Sequence, residues 1–534
     1  MLIKVLQKVN KHIILALFIF AFLLCLPMIF FDDIPCNDVA SRYAPMADAF
    51  ARGDWTYAFH PRVPLLVPVL AGVTAVITGC SGFFACKLVS ALFFTLTIFP
   101  VYGIMKKVFT EKVAIASCLL TIFCSHLMRL AYSGLRDSAK GFAFILGIYG
   151  LIILFRERRK FPGYLICASG AGLLLITRGD CALYAVVIML SCFIFEIFDN
   201  KSIKFPFRSL IGCGVILVVS GPALIYNYYT IGYPVPEARI GIVLSKVIPF
   251  IYNKNAKVKL HHDNLQQEIA GRKRVAVNVQ KAAKKKESAG ATVSKFISGL
   301  VKGFYPYFFI LAIAGMIFRI KRREWQPEET ILLIALLGHA ALIVLQILFF
   351  DGTLYVSRRY LLPVAPLAFG WSAIFIFQAW SFLGERFPVC INYKTAVAVS
   401  IVVALALYLD GALPVMKSYF NDRKSKERDA TLQISGWING DYKGLRYIER
   451  EMVWNSYRSN LCPLVFCPDL ETVGYLAGGQ NVSSGKLGKR ADYIIVKLDK
   501  RNYNNSDFNS INRKIFKFPG DEYMVIINSA GESK

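Results

Sequence analysis

The chain has 534 residues with a mean hydropathy of +0.48, and 55% of them are hydrophobic while only 18% are charged. That leaves too little charge to cover a soluble globule of this length, which excludes an ordinary cytosolic protein. Lys and Arg outnumber Asp and Glu by 62 to 35, a surplus of +27 that suits nucleic acid, anionic lipid or a phosphate-bearing substrate, and the position of the charge decides among them.

The first apolar run, near 13 to 30, follows Lys4, Lys8 and Lys11. Cys25-Leu26-Pro27 and the bulky residues after it offer no small-residue cleavage site, so the run reads as a retained anchor rather than a removable signal. Further runs long enough to cross a bilayer, which takes about 17 to 25 residues, fall near 83 to 105, 113 to 131, 138 to 155, 162 to 178, 180 to 198 and 208 to 230. Four more lie near 303 to 319, 328 to 350, 359 to 380 and 393 to 412. The expected fold class is a polytopic α-helical membrane protein of eleven spans, thirteen at most, with a C-terminal extracytoplasmic α/β domain.

The run at 63 to 80 is broken by Pro64 and Pro68 and reads as re-entrant or interfacial. If it does not cross, Lys106/Lys107/Lys112, Arg156/Arg158/Arg159/Lys160, Lys201/Lys204/Arg208 and Arg319/Lys321/Arg322/Arg323 share one side with the N-terminal lysines. By the positive-inside rule that side is the cytoplasm. The expected location is therefore a multi-pass plasma (inner) membrane, with the N-terminus cytoplasmic and the C-terminal domain periplasmic. On this division residues 1–412 form the membrane domain and 413–534 the outer domain.

Three hydrophilic segments then face outward: 31–62, 231–302 and 413–534. The middle one carries 14 Lys/Arg against four acidic residues; a loop this long escapes the inside rule, and it is either a solvated insertion or a contact surface for anionic headgroups or phosphate glycans. A nucleic-acid partner does not suit the outside of a cell membrane. Leu464-Val465-Phe466, Tyr493-Ile494-Ile495-Val496 and Tyr523-Met524-Val525-Ile526-Ile527 predict strands, with a helix after Pro468. Most of the thirteen cysteines sit in apolar runs as small hydrophobes, while Cys462 and Cys467 are either two thiols or a small disulfide loop.

Candidate chemistry concentrates at the outer ends of the spans. The first loop holds Asp32, Asp33, Asp38, Asp48 and Asp54 beside Arg42, Arg52, Arg62, His60, Tyr43 and Trp55. Asp137 follows Gly134-Leu135-Arg136 at another outer end, where it is either a helix cap or a functional acid. Arg178 and Asp180 form a third outer corner, and Arg358-Arg359-Tyr360-Leu361-Leu362-Pro363 opens a late span from outside.

Together these pieces resemble the lipid-linked-sugar glycosyltransferases of the C-type fold, the class of the protein O-mannosyltransferases and the lipid A aminoarabinose transferase. The matching residues are Asp38 before Tyr43, Gly53-Asp54-Trp55, Arg62-Val63-Pro64-Leu65-Leu66, Asp137, Thr177-Arg178 and Arg359-Tyr360-x-x-Pro363. The resemblance implies that Asp38 is the catalytic acid, with Asp137 the second outer acid, and that Arg62, Arg358 and Arg359 hold the donor phosphate. Asp33, Tyr43, His60 and Arg178 are further site residues, and Asp32 or Asp33 takes the acid role if Asp38 does not. Val39 and the spacing to Tyr43 depart from the family pattern.

The residue types suit the reaction implied. An acceptor hydroxyl attacking an anomeric carbon loses its proton, which a carboxylate can take, whereas a polyprenyl phosphate leaves without one and needs a cation. Arginine supplies that cation with a bidentate, always-charged fork. The implied partners are a polyprenyl-phosphate-linked sugar donor, a lipid, protein or polysaccharide acceptor, and the bilayer. No cofactor is certain, but a divalent cation, Mg or Mn, held by Asp38 and Asp137 stays open. A multispan transporter or flippase would carry midplane charges and repeated halves, and the spans read as free of charge. A non-catalytic glycan-assembly component is the third reading.

Overall fold

The computed structural model describes residues 2–31, 36, 38–61, 63–157, 161–200, 207–237, 306–346, 358–386, 402–403 and 405–410, together with five strands between 464 and 527. Asp32, Asp33, Arg62, most of the basic 231–302 segment, Cys462, Cys467 and the helix expected after Pro468 lie outside these residues. So does the side chain of Arg358.

The long helix α1 (Leu2–Phe31) leads into a π-helical turn at Val39–Tyr43 and the short helices α2 (Ala44–Ala51) and α3 (Trp55–Ala58). Helix α4 (Leu66–Thr78) follows, then α5 (Gly82–Leu96), α6 (Ile98–Val108), α7 (Glu111–Phe123), α8 (Ser125–Tyr132) and α9 (Asp137–Arg156). The series continues with α10 (Phe161–Thr177), α11 (Ala182–Asn200), α12 (Phe207–Ile231), α13 (Pro306–Lys321), α14 (Pro327–Gln346), the single turn α15 (Arg358–Leu361) and α16 (Phe369–Arg386).

Among the described residues six helices are long and apolar enough to cross a membrane, and a seventh forms if the bent pair α7–α8 is one span. One expectation is corrected. The run at 113 to 131 is not straight: it bends by 58° between Phe123 and Ser125, where the extended backbone of Cys124 ends one helix and begins the next. The proline-broken run yields the 13-residue α4, about 20 Å long at 1.5 Å per residue and short of the roughly 30 Å hydrocarbon core. Left-handed Gly79 (φ +69°) ends it, and the Ser81 side chain caps the next helix by accepting the Phe84 N–H.

On α11, Leu183, Val186, Val187, Leu190, Phe193 and Ile194 are all exposed. They recur at helical spacing and form one apolar stripe suited to lipid. The opposite faces of the bundle close on small residues: a side chain at Gly150 would strike Cys167 and one at Gly170 would strike Gly147. These glycines let α9 and α10 approach backbone to backbone, the usual device where lipid tails supply no hydrophobic drive between helices. Of the cysteines in apolar runs, Cys25, Cys86, Cys118, Cys124, Cys167, Cys181 and Cys192 are buried, Cys80 is half-buried and Cys213 exposed.

The spans are not free of charge, contrary to the sequence reading. Lys87 and Lys140 are each 1% exposed, and Glu196 is 2% exposed. Lys140 lies in the first turn of α9, Lys87 and Glu196 lie one turn inside α5 and α11, and all three are compensated. Lys87 Nζ donates to the Ile29 carbonyl at the end of α1 (3.0 Å), Lys140 faces Asp180, and Glu196 accepts the Arg208 and Ser209 N–H groups that open α12.

The five strands form one sheet in the order β2-β1-β3-β5-β4: β1 (Leu464–Phe466), β2 (Gln480–Val482), β3 (Tyr493–Leu498), β4 (Arg513–Phe518) and β5 (Asp521–Ile527). Strand β1 runs parallel to β2 and β3, while β5 is antiparallel to β3 and β4. Strands β1, β3 and β5 coincide with the expected ones, and β2 and β4 are additional.

Candidate active site

Two close approaches build the site. The first loop docks on the start of α5 because Asp48 Oδ1 accepts the Gly82 N–H at 2.6 Å. A Cβ at position 82 would lie 2.4 Å from the Ala44 carbonyl oxygen, so only glycine permits the contact. The second approach joins α9 to the late corner that follows α15. A Cβ at Gly141 would meet the Pro363 carbonyl oxygen at 2.8 Å, and this bare position lets the Arg359-to-Pro363 segment close over the N-terminal turn of α9.

Closure brings Asp38, Asp137, Arg178 and Arg359 into one network. Arg359 Nη2 donates to Asp38 Oδ2 at 2.8 Å, while its Nε lies 3.8 Å from Asp137 Oδ2. Arg178 Nη1 donates to Asp137 Oδ1 at 3.0 Å and its Nε to Asp180 Oδ1 at 2.7 Å. Lys140 Nζ lies 3.8 Å from Asp180 Oδ2, and Arg42 Nη1 lies 3.4 Å from Asp38 Oδ1. The result is a row of alternating charge from Lys140 to Arg42.

Asp137 is 1% exposed and occupies the first helical position of α9, with its carboxylate turned to the two arginines. Its helix-capping alternative is thereby set aside. Among the described residues Oδ2 of Asp137 has no hydrogen-bond partner, so there one buried lone-pair face of this acid is held by Coulomb attraction. Tyr360 lies between the arginines: the guanidinium of Arg178 is 4.6 Å from its ring centroid and that of Arg359 is 5.4 Å away. The Tyr360 carbonyl is tied to His339 Nε2 at 2.9 Å, which fixes the corner against α14.

Asp38 is half-buried. Burial alone would raise its carboxyl, but the hydrogen bond from Arg359 and the charges of Arg359, Arg42 and Arg136 outweigh burial and hold it below the ordinary carboxylate value. It is therefore ionised at neutral pH and able to accept a proton.

Other first-loop residues have different work. Asp54 caps α3 through the Tyr57 N–H at 3.1 Å, and Asp48 holds Gly82 as described. Tyr43 is buried beneath Arg136, whose guanidinium is 5.7 Å from its ring centroid; it supports the loop from below. His60 is half-buried at the turn after α3, its N–H bonded to the Tyr57 carbonyl. Asp33 and Arg62 fall outside the described residues.

Sequence reasoning missed Lys140 and Arg136 and gave Asp180 no role. Lys140 stands three residues after Asp137 on one helix, so both share a face, and a lysine within an apolar run is itself a signal. Arg42 stands four residues after Asp38. For a divalent ion the donor set is poor: Arg359 stands between Asp38 and Asp137 where the ion would bridge them, and no group of three His, Cys, Asp or Glu converges among the described residues. Among the described residues the arrangement does not fit Mg or Mn, which take about six oxygen ligands.

Residues 61–261 match the family model described as dolichyl-phosphate-mannose-protein mannosyltransferase. That stretch contains Asp137 and Arg178 but neither Asp38 nor Arg359. The structure is similar to ArnT from Cupriavidus metallidurans bound to undecaprenyl phosphate, with TM-score 0.56, 12% identity and coverage of 97% of this chain and 98% of that one. It also resembles the archaeal oligosaccharyltransferase AglB from Archaeoglobus fulgidus in complex with an inhibitory peptide and a dolichol-phosphate, with TM-score 0.52, 13% identity and coverage of 91% and 69%. No curated protein matches the chain.

The chain thus has the C-type fold of polyprenyl-phosphate-sugar glycosyltransferases. Fold and family match together support a glycosyltransferase embedded in a membrane by several apolar helices.

Proposed function

We propose that this protein moves a sugar from a polyprenyl phosphate to an acceptor hydroxyl at the outer face of the plasma membrane, with inversion at the anomeric carbon. The observation that carries this reading is the single guanidinium of Arg359 shared between Asp38 and Asp137. One cation there can hold the base in place and also receive the donor phosphate.

In the reaction the acceptor oxygen bonds to the anomeric carbon as the bond from that carbon to the phosphate oxygen breaks. The hydroxyl proton goes to the Asp38 carboxylate, and the electron pair leaves with the polyprenyl phosphate, whose new charge Arg359 meets. Drawing Arg359 toward the phosphate loosens its hold on Asp38, which becomes more basic as the donor arrives. Asp137 and Arg178 position Arg359 from behind. Arg62 and Arg358 are further candidates for the phosphate, and the outer domain at 413–534 is the candidate cover for the acceptor.

The donor sugar is a hexose or a pentose, and the acceptor a lipid, a protein or a polysaccharide. The test is transfer or hydrolysis from a panel of polyprenyl-phosphate sugars in proteoliposomes. Consumption by the wild type that is lost in Asp38→Asn at equal folded protein supports the proposal. A wild type that moves these lipids across the bilayer without consuming them overturns it.

A further inference from the structure

At the other end of α9 from Asp137 lies a cavity of about 790 Å³ that the proposed chemistry does not use. It is a trough between α6 and α9 with Ile14 of α1 as a third wall. On α9 its lining recurs at Phe142, Leu146 and Tyr149, and on α6 at Phe99, Gly103 and Lys106, so each helix presents one face. Gly103 is bare because a Cβ there would meet the Tyr149 ring at 2.5 Å.

The mouth is charged. Lys106 and Lys107 end α6 and Arg156 ends α9, and in the lining these three cations face one carboxylate, Glu157. Each cation already touches an acid: Lys106 meets Glu111 at 3.3 Å, Lys107 meets Glu157, and Arg156 meets Glu328 at 3.8 Å. Glu111 and Glu328 stand outside the lining. Lys106 and Arg156 keep nearly half of their side chains exposed, 45% and 43%, and can bond a second anion. The same three cations belong to the clusters that the positive-inside rule puts in the cytoplasm.

An apolar trough in a span with a cationic rim at the cytoplasmic boundary has the chemistry of a phospholipid site. Its volume lies in the range of about 300–1,000 Å³ that holds a drug-sized ligand, enough for a headgroup and the first part of an acyl chain. We infer that this trough binds an anionic phospholipid of the inner leaflet. The phosphate sits at Lys106, Lys107 and Arg156, and an acyl chain lies along Phe99 and Leu146. Helix α9 has 20 residues, about 30 Å at 1.5 Å each, so the charged rim at Arg156 stands a helix length from Asp137, and the site does not depend on the transferase reading.

The test is native mass spectrometry of the full-length protein after reconstitution into vesicles of equimolar phosphatidylglycerol and phosphatidylcholine. The wild type retains phosphatidylglycerol in preference to phosphatidylcholine. A Lys106→Gln/Arg156→Gln variant lowers that preference about fivefold for each cation removed. Leu146→Trp keeps every charge and fills the trough, and it lowers retention of phosphatidylglycerol without creating a preference for phosphatidylcholine. Equal retention of both lipids by the wild type, or retention unchanged in both variants, overturns the inference. Displacement of the retained phosphatidylglycerol by trace undecaprenyl phosphate would also overturn it, by assigning the trough to the donor lipid.

Discussion

Arg359 donates to Asp38 across 2.8 Å although 321 residues separate them in the chain, and the same guanidinium reaches Asp137 on a third element. An acid from the first loop and one from the start of α9 therefore meet at one cation carried by the late corner. Loss of Arg359 removes a shared partner from both acids and leaves Asp137 to Arg178 and Asp38 to Arg42.

Asp38→Asn removes the proposed proton acceptor while keeping the shape of the side chain. Transfer falls by about 10² to 10⁴-fold with donor binding retained, measured as sugar released from a polyprenyl-phosphate donor at equal folded protein. Full activity in this variant would shift the base to another first-loop acid, Asp32 or Asp33.

Arg359→Gln loses the proposed phosphate contact, and kcat falls by roughly 10² to 10³-fold. It also changes the pH dependence. In the wild type Asp38 is held below the ordinary carboxylate value, so the acidic limb of kcat/KM lies below the ordinary aspartate range. Without Arg359, burial is less opposed and the limb moves to higher pH. The corresponding stability follows the same sign: the depressed carboxylate contributes above its unfolded value, and the contribution is lost as pH falls through the lowered folded one. An acidic limb that stays in place would show that Arg42 and Arg136 alone set Asp38.

Arg178→Gln leaves buried Asp137 and half-buried Asp180 with their main partner gone. Breaking a buried pair from one side costs about 3–5 kcal/mol, so this variant lowers the Tm of the detergent-solubilised protein more than Asp38→Asn does. Equal Tm values for the two would place Arg178 outside the supporting role given to it.

Gly141→Ala puts a methyl group against the Pro363 carbonyl. Overpacking of this kind costs about 1–3 kcal/mol, yet its larger effect falls on kcat because the corner carrying Arg359 is pushed away from α9. A variant with lowered Tm and unchanged kcat would separate the corner from catalysis.

Chelation tests the cation between the acids. With Arg359 in that place, EDTA leaves the transfer rate unchanged. A rate that collapses with EDTA and returns with Mg or Mn would mean that the arginine gives way to a metal during the reaction.

Much of the site was legible because charge is costly at a membrane boundary and therefore conspicuous. Asp38, Asp137, Arg178 and Arg359 stand out from apolar surroundings by residue type alone, and the structure brings all four together. A mostly helical chain with several apolar helices was legible for the same reason, since the apolar runs are long. What was hidden depended on three-dimensional approach. Lys140 reads as one residue of a span until α9 is seen to turn it toward Asp180. The bend at Cys124 carries no proline or glycine to announce it, and β2 (Gln480-Asn481-Val482) is too short and too polar to show a period. The jobs of Asp48 and Asp54 needed the backbone groups they meet, which no spacing reveals.

The charged row has a further property. Lys140, Arg178, Arg359 and Arg42 stand against Asp180, Asp137 and Asp38, a surplus of one positive charge in a half-buried setting. A sugar phosphodiester carries one negative charge and neutralises that surplus on arrival. In the proposed transfer the phosphate gains a charge as Asp38 takes a proton and loses one, so the total in the pocket is the same before and after. A site of low dielectric can therefore perform this reaction without importing ions or water to balance it, and only the departure of the phosphate dianion and the proton separately restores the starting state.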